Sequence, residues 1–280
     1  MWTQHVIETT RGTFEYFTKG HGAPLAITHY FLQFDARGNL FANPFTEHYE
    51  VFLINVRGAG NSAAVEQDEQ MTFSEIINDL EAIREALGLE KWAFAGHSTG
   101  GMLALQYAVL APESLTKMIA GSTAASKAYA SHPESMYCVD NANFMRIIEI
   151  MELLNNPATT VEQRQKLSYE WSLMSYYDEE KLKLAISLPN SGKTNGRALD
   201  YFRKVEVKNY DVRNALKSVT IPSYIFGGRF DAQCPVEYTY EIAQFMPNAY
   251  VTVFEQSNHN PYIEELESFE GFVKETLVGV

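Results

Sequence analysis

A serine framed by two glycines, in Gly96-His97-Ser98-Thr99-Gly100, follows directly on the apolar run Trp92, Ala93, Phe94, Ala95. That order marks a strand bending sharply into a helix, with a nucleophile presented at the bend. The glycines answer a steric need, because bulky side chains two positions either side of a strained serine would collide with the incoming strand and the outgoing helix. A serine hydroxyl is a weak nucleophile at neutral pH. It needs a base to take its proton and a third group to orient that base. His259 is the best-placed base: it follows the apolar stretch 250–254 through the polar turn Glu255-Gln256-Ser257-Asn258. Asp231 is the best-placed carboxylate, in Gly227-Gly228-Arg229-Phe230-Asp231 just past the strand-like stretch 223–226. Ser98, Asp231 and His259 are therefore the expected catalytic residues, for transfer of an acyl group to Ser98.

Three such residues, far apart in the chain, meet when each stands at the carboxyl end of a strand in one parallel sheet. The sequence supplies the strands. Period-two and continuous apolar runs predict them at 5–10, 12–18, 25–29, 51–54, 91–95, 115–120, 223–226 and 250–254. Thr72 and Glu75 have capping-box spacing, and Ile76, Leu80, Ile83 and Leu87 recur on one helical face before Gly88. Further helices are predicted over 100–110, 236–245 and 262–277. Strand and helix alternate with short connections, which predicts a parallel sheet with crossover helices. Between 122 and 207 the alternation stops, and Phe144, Ile147, Ile148, Met151 and Leu154 follow helical spacing. The expected organisation is a core of 1–121 and 208–280 with a helical cap over 122–207.

Composition narrows the function classes. The 280 residues are 46% hydrophobic and 20% charged, ordinary for a folded globular chain. A net charge of −13 argues against nucleic-acid and anionic-membrane partners, which require clustered Lys and Arg. No secretory signal order opens the chain and no run approaches a bilayer span, so a cytoplasmic protein, monomer or homodimer, is expected. Cys138 and Cys234 have no paired spacing, and the seven histidines form no ligand pair. No metal and no cofactor are expected.

The elbow, together with the chain order Ser98, Asp231, His259, resembles the α/β-hydrolase fold superfamily. The match extends through a His29-containing loop after the third strand and Arg57-Gly58-Ala59-Gly60-Asn61-Ser62 after the fourth. The resemblance implies a mostly parallel eight-stranded sheet, helices on both faces and a lid after the sixth strand. It also implies an oxyanion hole from the backbone N–H groups of Thr99 and Phe31, although His29-Tyr30-Phe31-Leu32 lacks the glycine many relatives carry. Tyr30, Phe31, Met136 and Tyr137 are the expected substrate contacts.

Within the superfamily, the chain is most similar to lidded bacterial carboxylesterases and proline iminopeptidases. Iminopeptidases usually carry Gly-Gly-Ser-Trp-Gly at the elbow and His-Gly-Gly-Pro-Gly in the earlier loop, unlike this chain. The resemblance thus favours a small ester or lactone as substrate. The alternative is a short peptide whose amino terminus is held by cap carboxylates such as Glu134, Glu149, Glu152 and Glu170. A slow-turnover ligand receptor, or a cofactor-free lyase or oxygenase using His259 and Asp231 as a base, are readings from other classes. An aspartate in place of Ser98 would have indicated a halide-releasing enzyme.

Overall fold

Eight strands form one sheet in the computed structural model, which describes residues 1–277. In chain order they are β1 (Thr3–Thr9), β2 (Gly12–Gly20), β3 (Ala23–Ile27), β4 (Tyr49–Ile54), β5 (Trp92–His97), β6 (Leu115–Gly121), β7 (Ser223–Gly228) and β8 (Ala249–Phe254). Their spatial order is β1-β2-β4-β3-β5-β6-β7-β8. β2 runs antiparallel to both neighbours, and every pair from β4 across to β8 is parallel. The central strands read as unbroken apolar runs because each face has its own core. Trp92 and Phe94 of β5 enter one core, whereas Ala93 and Ala95 enter the other.

Helices α1 (Phe73–Ala86) and α2 (Thr99–Leu110) fill the first core. Thr72 caps α1 by accepting the Glu75 N–H at 3.2 Å, as the spacing of the two residues predicts. Between β6 and β7 lie α3 (Phe144–Asn155), α4 (Val161–Leu173), α5 (Glu179–Ser187) and α6 (Gly196–Tyr201), the last running on into a π-helical turn over Phe202–Glu206. The two ends of this segment are stitched together: Val212 N–H donates to Ala125 O at 2.8 Å and Lys127 N–H to Tyr210 O at 3.1 Å. After β7 come α7 (Val236–Phe245) and, beyond β8, α8 (Leu266–Glu275), whose Phe269, Phe272 and Val273 fill the second core.

Two features depart from the sequence expectation. The predicted continuous helix over 262–277 is broken at Glu265 into Pro261–Glu264 and α8. The Glu265 carboxylate reaches back to the Gln256 N–H and the Ser257 hydroxyl, at 2.9 and 2.7 Å, which holds its backbone outside helical geometry. Moreover, the segment between β6 and β7 is not purely helical. Its Lys193–Thr194 pairs antiparallel with Leu32–Gln33 of the loop after β3, and Asn195 N–H donates to Phe31 O at 2.8 Å.

Candidate active site

Ser98 sits between β5 and α2 with φ +57° and ψ −123°, a conformation that a side-chain-bearing residue adopts only at a cost. Its N–H donates to Gly121 O of the neighbouring strand at 2.9 Å, and its carbonyl accepts the Gly101 and Met102 N–H groups. The glycines are explained by contact. A Cβ at Gly96 would stand 1.9 Å from Gly100 O, and one at Gly100 would stand 2.6 Å from Thr28 O. Gly96→Ala is therefore expected to destabilise the fold by about 3 kcal/mol, because the clash is with rigid backbone. Urea denaturation would register this as a lower midpoint at unchanged slope; an unaltered midpoint would refute it.

Asp231 and His259 are both buried and directly joined. Nδ1 of His259 lies 2.9 Å from each Asp231 carboxylate oxygen. Oδ1 of Asp231 also accepts the Gln233 and Cys234 N–H groups at 2.9 and 2.8 Å, which fixes the carboxylate plane. With Nδ1 engaged, Nε2 is the ring nitrogen that His259 offers to the cavity it shares with Ser98. That cavity holds about 1590 Å³, and Thr99, Phe31, Tyr137, Trp171 and Cys234 are among its lining residues. Burial, aided by Asp231, pushes the Cys234 thiol well above its ordinary pKa, so it stays protonated.

The loop carrying His259 is held by residues that sequence reasoning missed. Glu264 is buried and accepts three backbone N–H groups, from Tyr177 at 2.5 Å, Asn258 at 3.0 Å and Asn260 at 3.1 Å. Burial raises its carboxyl above the usual glutamate value, against the opposing pull of those three donors. Its signal was a glutamate one turn into a helix that starts at Asn260-Pro261. The end of α4 closes the other side: Ser175 O accepts from His259 N–H and from the Asn260 amide, and Met174 O from the Asn258 amide. His97 does more than fill space beside the elbow. Its Nε2–H donates to His259 O at 2.7 Å, and burial, then His259 nearby, keeps its pKa well below the ordinary value.

Of the expected substrate contacts, Phe31 and Tyr137 line the cavity, while Tyr30 and Met136 do not. Tyr30 turns its ring into the core against Phe73 and Phe202, and its hydroxyl donates to Met71 O. This is how the loop dispenses with glycine at position 30. Met136 is fully buried, with its N–H bonded to Ala232 O at 2.7 Å. The Phe31 N–H makes only a long contact, 3.4 Å, to Nδ1 of His29. Burial, then His259, lowers His29 to about 3, so its ring is neutral and can accept. Thr99 begins α2, so its N–H has no acceptor within the helix. Among the described residues, His132, Glu134 and Glu237 bring ligand atoms within 4.8 Å of one another, but none of them lines the cavity.

Residues 21–266, which carry this elbow and both loops, match the sequence pattern of the α/β hydrolase fold. The chain belongs to the α/β-hydrolase fold family. A solved structure of an α/β fold family hydrolase from Bacillus anthracis strain Sterne is 56% identical, covers 99% of both chains and superposes with a TM-score of 0.97. The pimeloyl-[acyl-carrier protein] methyl ester esterase of Aliivibrio salmonicida is 25% identical over 90% of this chain and 91% of its own length. The proline iminopeptidase of Heyndrickxia coagulans is also 25% identical, over 99% of each. These two relatives, one named an esterase and one a peptidase, share the same identity with the chain. Among the described residues, no helix is long and apolar enough to cross a membrane.

Proposed function

We propose that the chain is a serine hydrolase that cleaves an ester or lactone through an acyl-enzyme on Ser98. The observation that carries this is the strained Ser98 sharing one cavity with a His259 whose other nitrogen is bound by the buried Asp231. Nε2 of His259 takes the hydroxyl proton as Ser98 Oγ attacks the carbonyl carbon. Asp231 holds the proton on Nδ1 and stabilises the imidazolium. The Thr99 N–H, aided by the positive end of α2, holds the developing oxyanion. The Phe31 N–H joins it, giving up only its long contact to His29. The proton then passes to the leaving alcohol, and a water deprotonated by the same His259 releases the acid.

Ester chemistry is preferred over amine-directed peptide cleavage because, among the described residues, the one carboxylate lining the cavity, Asp211, is already paired with Arg213 at 2.6 Å. Glu134, Glu149, Glu152 and Glu170 all lie outside the cavity wall, and Arg146 engages Glu149 and Glu170 at 2.5 and 2.6 Å. The segment 122–207 acts as the cap of this site, since residues 174–175 meet the His259 loop and Tyr137 reaches the cavity.

The expected result with short 4-nitrophenyl esters is a burst of nitrophenol equal to the enzyme concentration, followed by a slower steady state. Proline 4-nitroanilide is expected to react at least about 100-fold more slowly in kcat/KM. Absence of both the burst and covalent labelling by a fluorophosphonate would overturn the hydrolase reading. Faster cleavage of the anilide would replace esterase with peptidase.

A further inference from the structure

The charge of the cavity wall is opposite to that of the chain. Asp and Glu outnumber Lys and Arg by 35 to 22, yet Lys127, Arg164, Arg203, Lys208 and Arg213 line the cavity against a single carboxylate among the described residues, Asp211. Asp211 is already neutralised by Arg213 at 2.6 Å. Of the chain's ten arginines, eight pair with a carboxylate, and Arg164 is spent on the backbone carbonyls of Leu154, Asn156 and Thr159. Among the arginines of the described residues, only the Arg203 side chain has neither an ion pair nor a hydrogen bond. In a chain with carboxylates to spare, that guanidinium is left over inside the cavity.

The surroundings of Arg203 hold it ready for a ligand. It projects from the π-helical turn Phe202–Glu206, a geometry that recurs at functional sites. Phe202 buries itself against Tyr30 and Phe73, and the Glu206 carboxylate accepts the Phe73 N–H at 2.9 Å, so residues on both sides of Arg203 are tied to the core. The guanidinium carbon lies 5.9 Å from the Trp171 ring centroid, a cation–π contact that orients the group while leaving its donors open. Arg203 also opposes the burial-driven rise in the pKa of the Tyr137 phenol, which in turn feels Asp231, so this arginine and the candidate catalytic end of the cavity share a neighbour.

We propose that Arg203 selects substrates with a second, anionic oxyacid group, docked on its guanidinium while the scissile ester carbonyl lies at Ser98. This rests on the hydrolase reading above and names its substrate class: half-esters of dicarboxylic acids, or esters bearing a phosphate. A planar carboxylate meets the guanidinium through two parallel hydrogen bonds, which neutral esters cannot supply.

The test compares 4-nitrophenyl half-esters of C4 to C8 dicarboxylic acids with 4-nitrophenyl esters of the monocarboxylic acids of equal length. The expected preference in kcat/KM for the best half-ester is at least about tenfold, falling to near unity in Arg203→Met and partly restored in Arg203→Lys. An equal preference ratio in wild type and Arg203→Met overturns the proposal, as does a wild-type preference for the neutral esters. Monomethyl adipate and methyl phosphate, tried as competitive inhibitors, identify the oxyacid by which inhibits more strongly. Inhibition by neither overturns the site. If no ester is turned over, the hydrolase reading fails separately, and the anion site is read from melting temperature. A rise with adipate in wild type that Arg203→Met lacks supports the site, and equal responses reject it. Circular dichroism of each variant confirms that a folded protein is being compared.

Discussion

Replacing Ser98 by alanine is expected to lower kcat for short aryl esters by roughly 10⁵- to 10⁶-fold, with stoichiometric fluorophosphonate labelling lost altogether. The magnitude follows from what remains. On the proposed reading, the Thr99 and Phe31 N–H groups and the cavity would still bind the ester and polarise its carbonyl, which in serine proteases leaves a residual acceleration of about 10³ to 10⁴ over water. What disappears is the attacking oxygen itself. The Cys234 thiol, although it lines the same cavity, cannot substitute, since burial holds it in the unreactive protonated form. Stability is expected to change little, because alanine at φ +57° bears the same backbone strain as serine and no hydrogen bond that orders the turn comes from the side chain. Retention of more than about 1% of wild-type kcat in a pure preparation would show that the chemistry belongs to another residue.

The sequence made the sheet legible through burial. Strands covered on both faces are apolar at most positions, so β4, β5 and β6 stand out as runs despite Glu50 and Lys117, and turn residues at the carboxyl ends of the strands stand out as the candidate site. Ser98 and Asp231 could be chosen because only a few polar residues follow such runs, whereas His259 stood out by the polar turn that follows the half-exposed edge strand β8. The direction of individual side chains was not legible. Tyr30 and Phe31 are adjacent aromatics in one loop, and nothing in their order says that the first enters the core against Phe73 while the second faces the cavity. Met136 was likewise hidden by its neighbour Tyr137. Long-range polar ties were also out of reach: Glu264 looked like an ordinary helical glutamate, and its three backbone donors come from Tyr177, Asn258 and Asn260. Arg203 was missed for a related reason. A basic residue in a predicted helix reads as a solvated face, and only the pairing of the other arginines shows that this one is unspent.

The pairing of Asp231 with His259 leads to the second large effect, a fall in kcat of about 10⁴ in Asp231→Asn at nearly unchanged KM. Oδ1 of Asp231 accepts the Gln233 and Cys234 N–H groups, so an asparagine must keep its carbonyl oxygen there to avoid leaving two buried donors unsatisfied. The amide nitrogen then takes the place of Oδ2, 2.9 Å from Nδ1 of His259. Its hydrogens point at that ring nitrogen, and Oδ1, also 2.9 Å from Nδ1, already accepts two backbone N–H groups, so the ring form without a proton on Nδ1 is favoured. The neutral imidazole is thereby driven into the tautomer protonated at Nε2, the nitrogen that must be bare to take the Ser98 proton. Binding of the ester is untouched, and proton transfer fails. Fluorophosphonate labelling of Ser98 is expected to slow in the same proportion as kcat, because both reactions need the same base, while the melting temperature stays within a few degrees of wild type. A loss smaller than about tenfold in both rates would reduce Asp231 to a residue that caps the 231–234 turn, and His259 would then have to find its orientation in the His97 and Ser175 contacts alone.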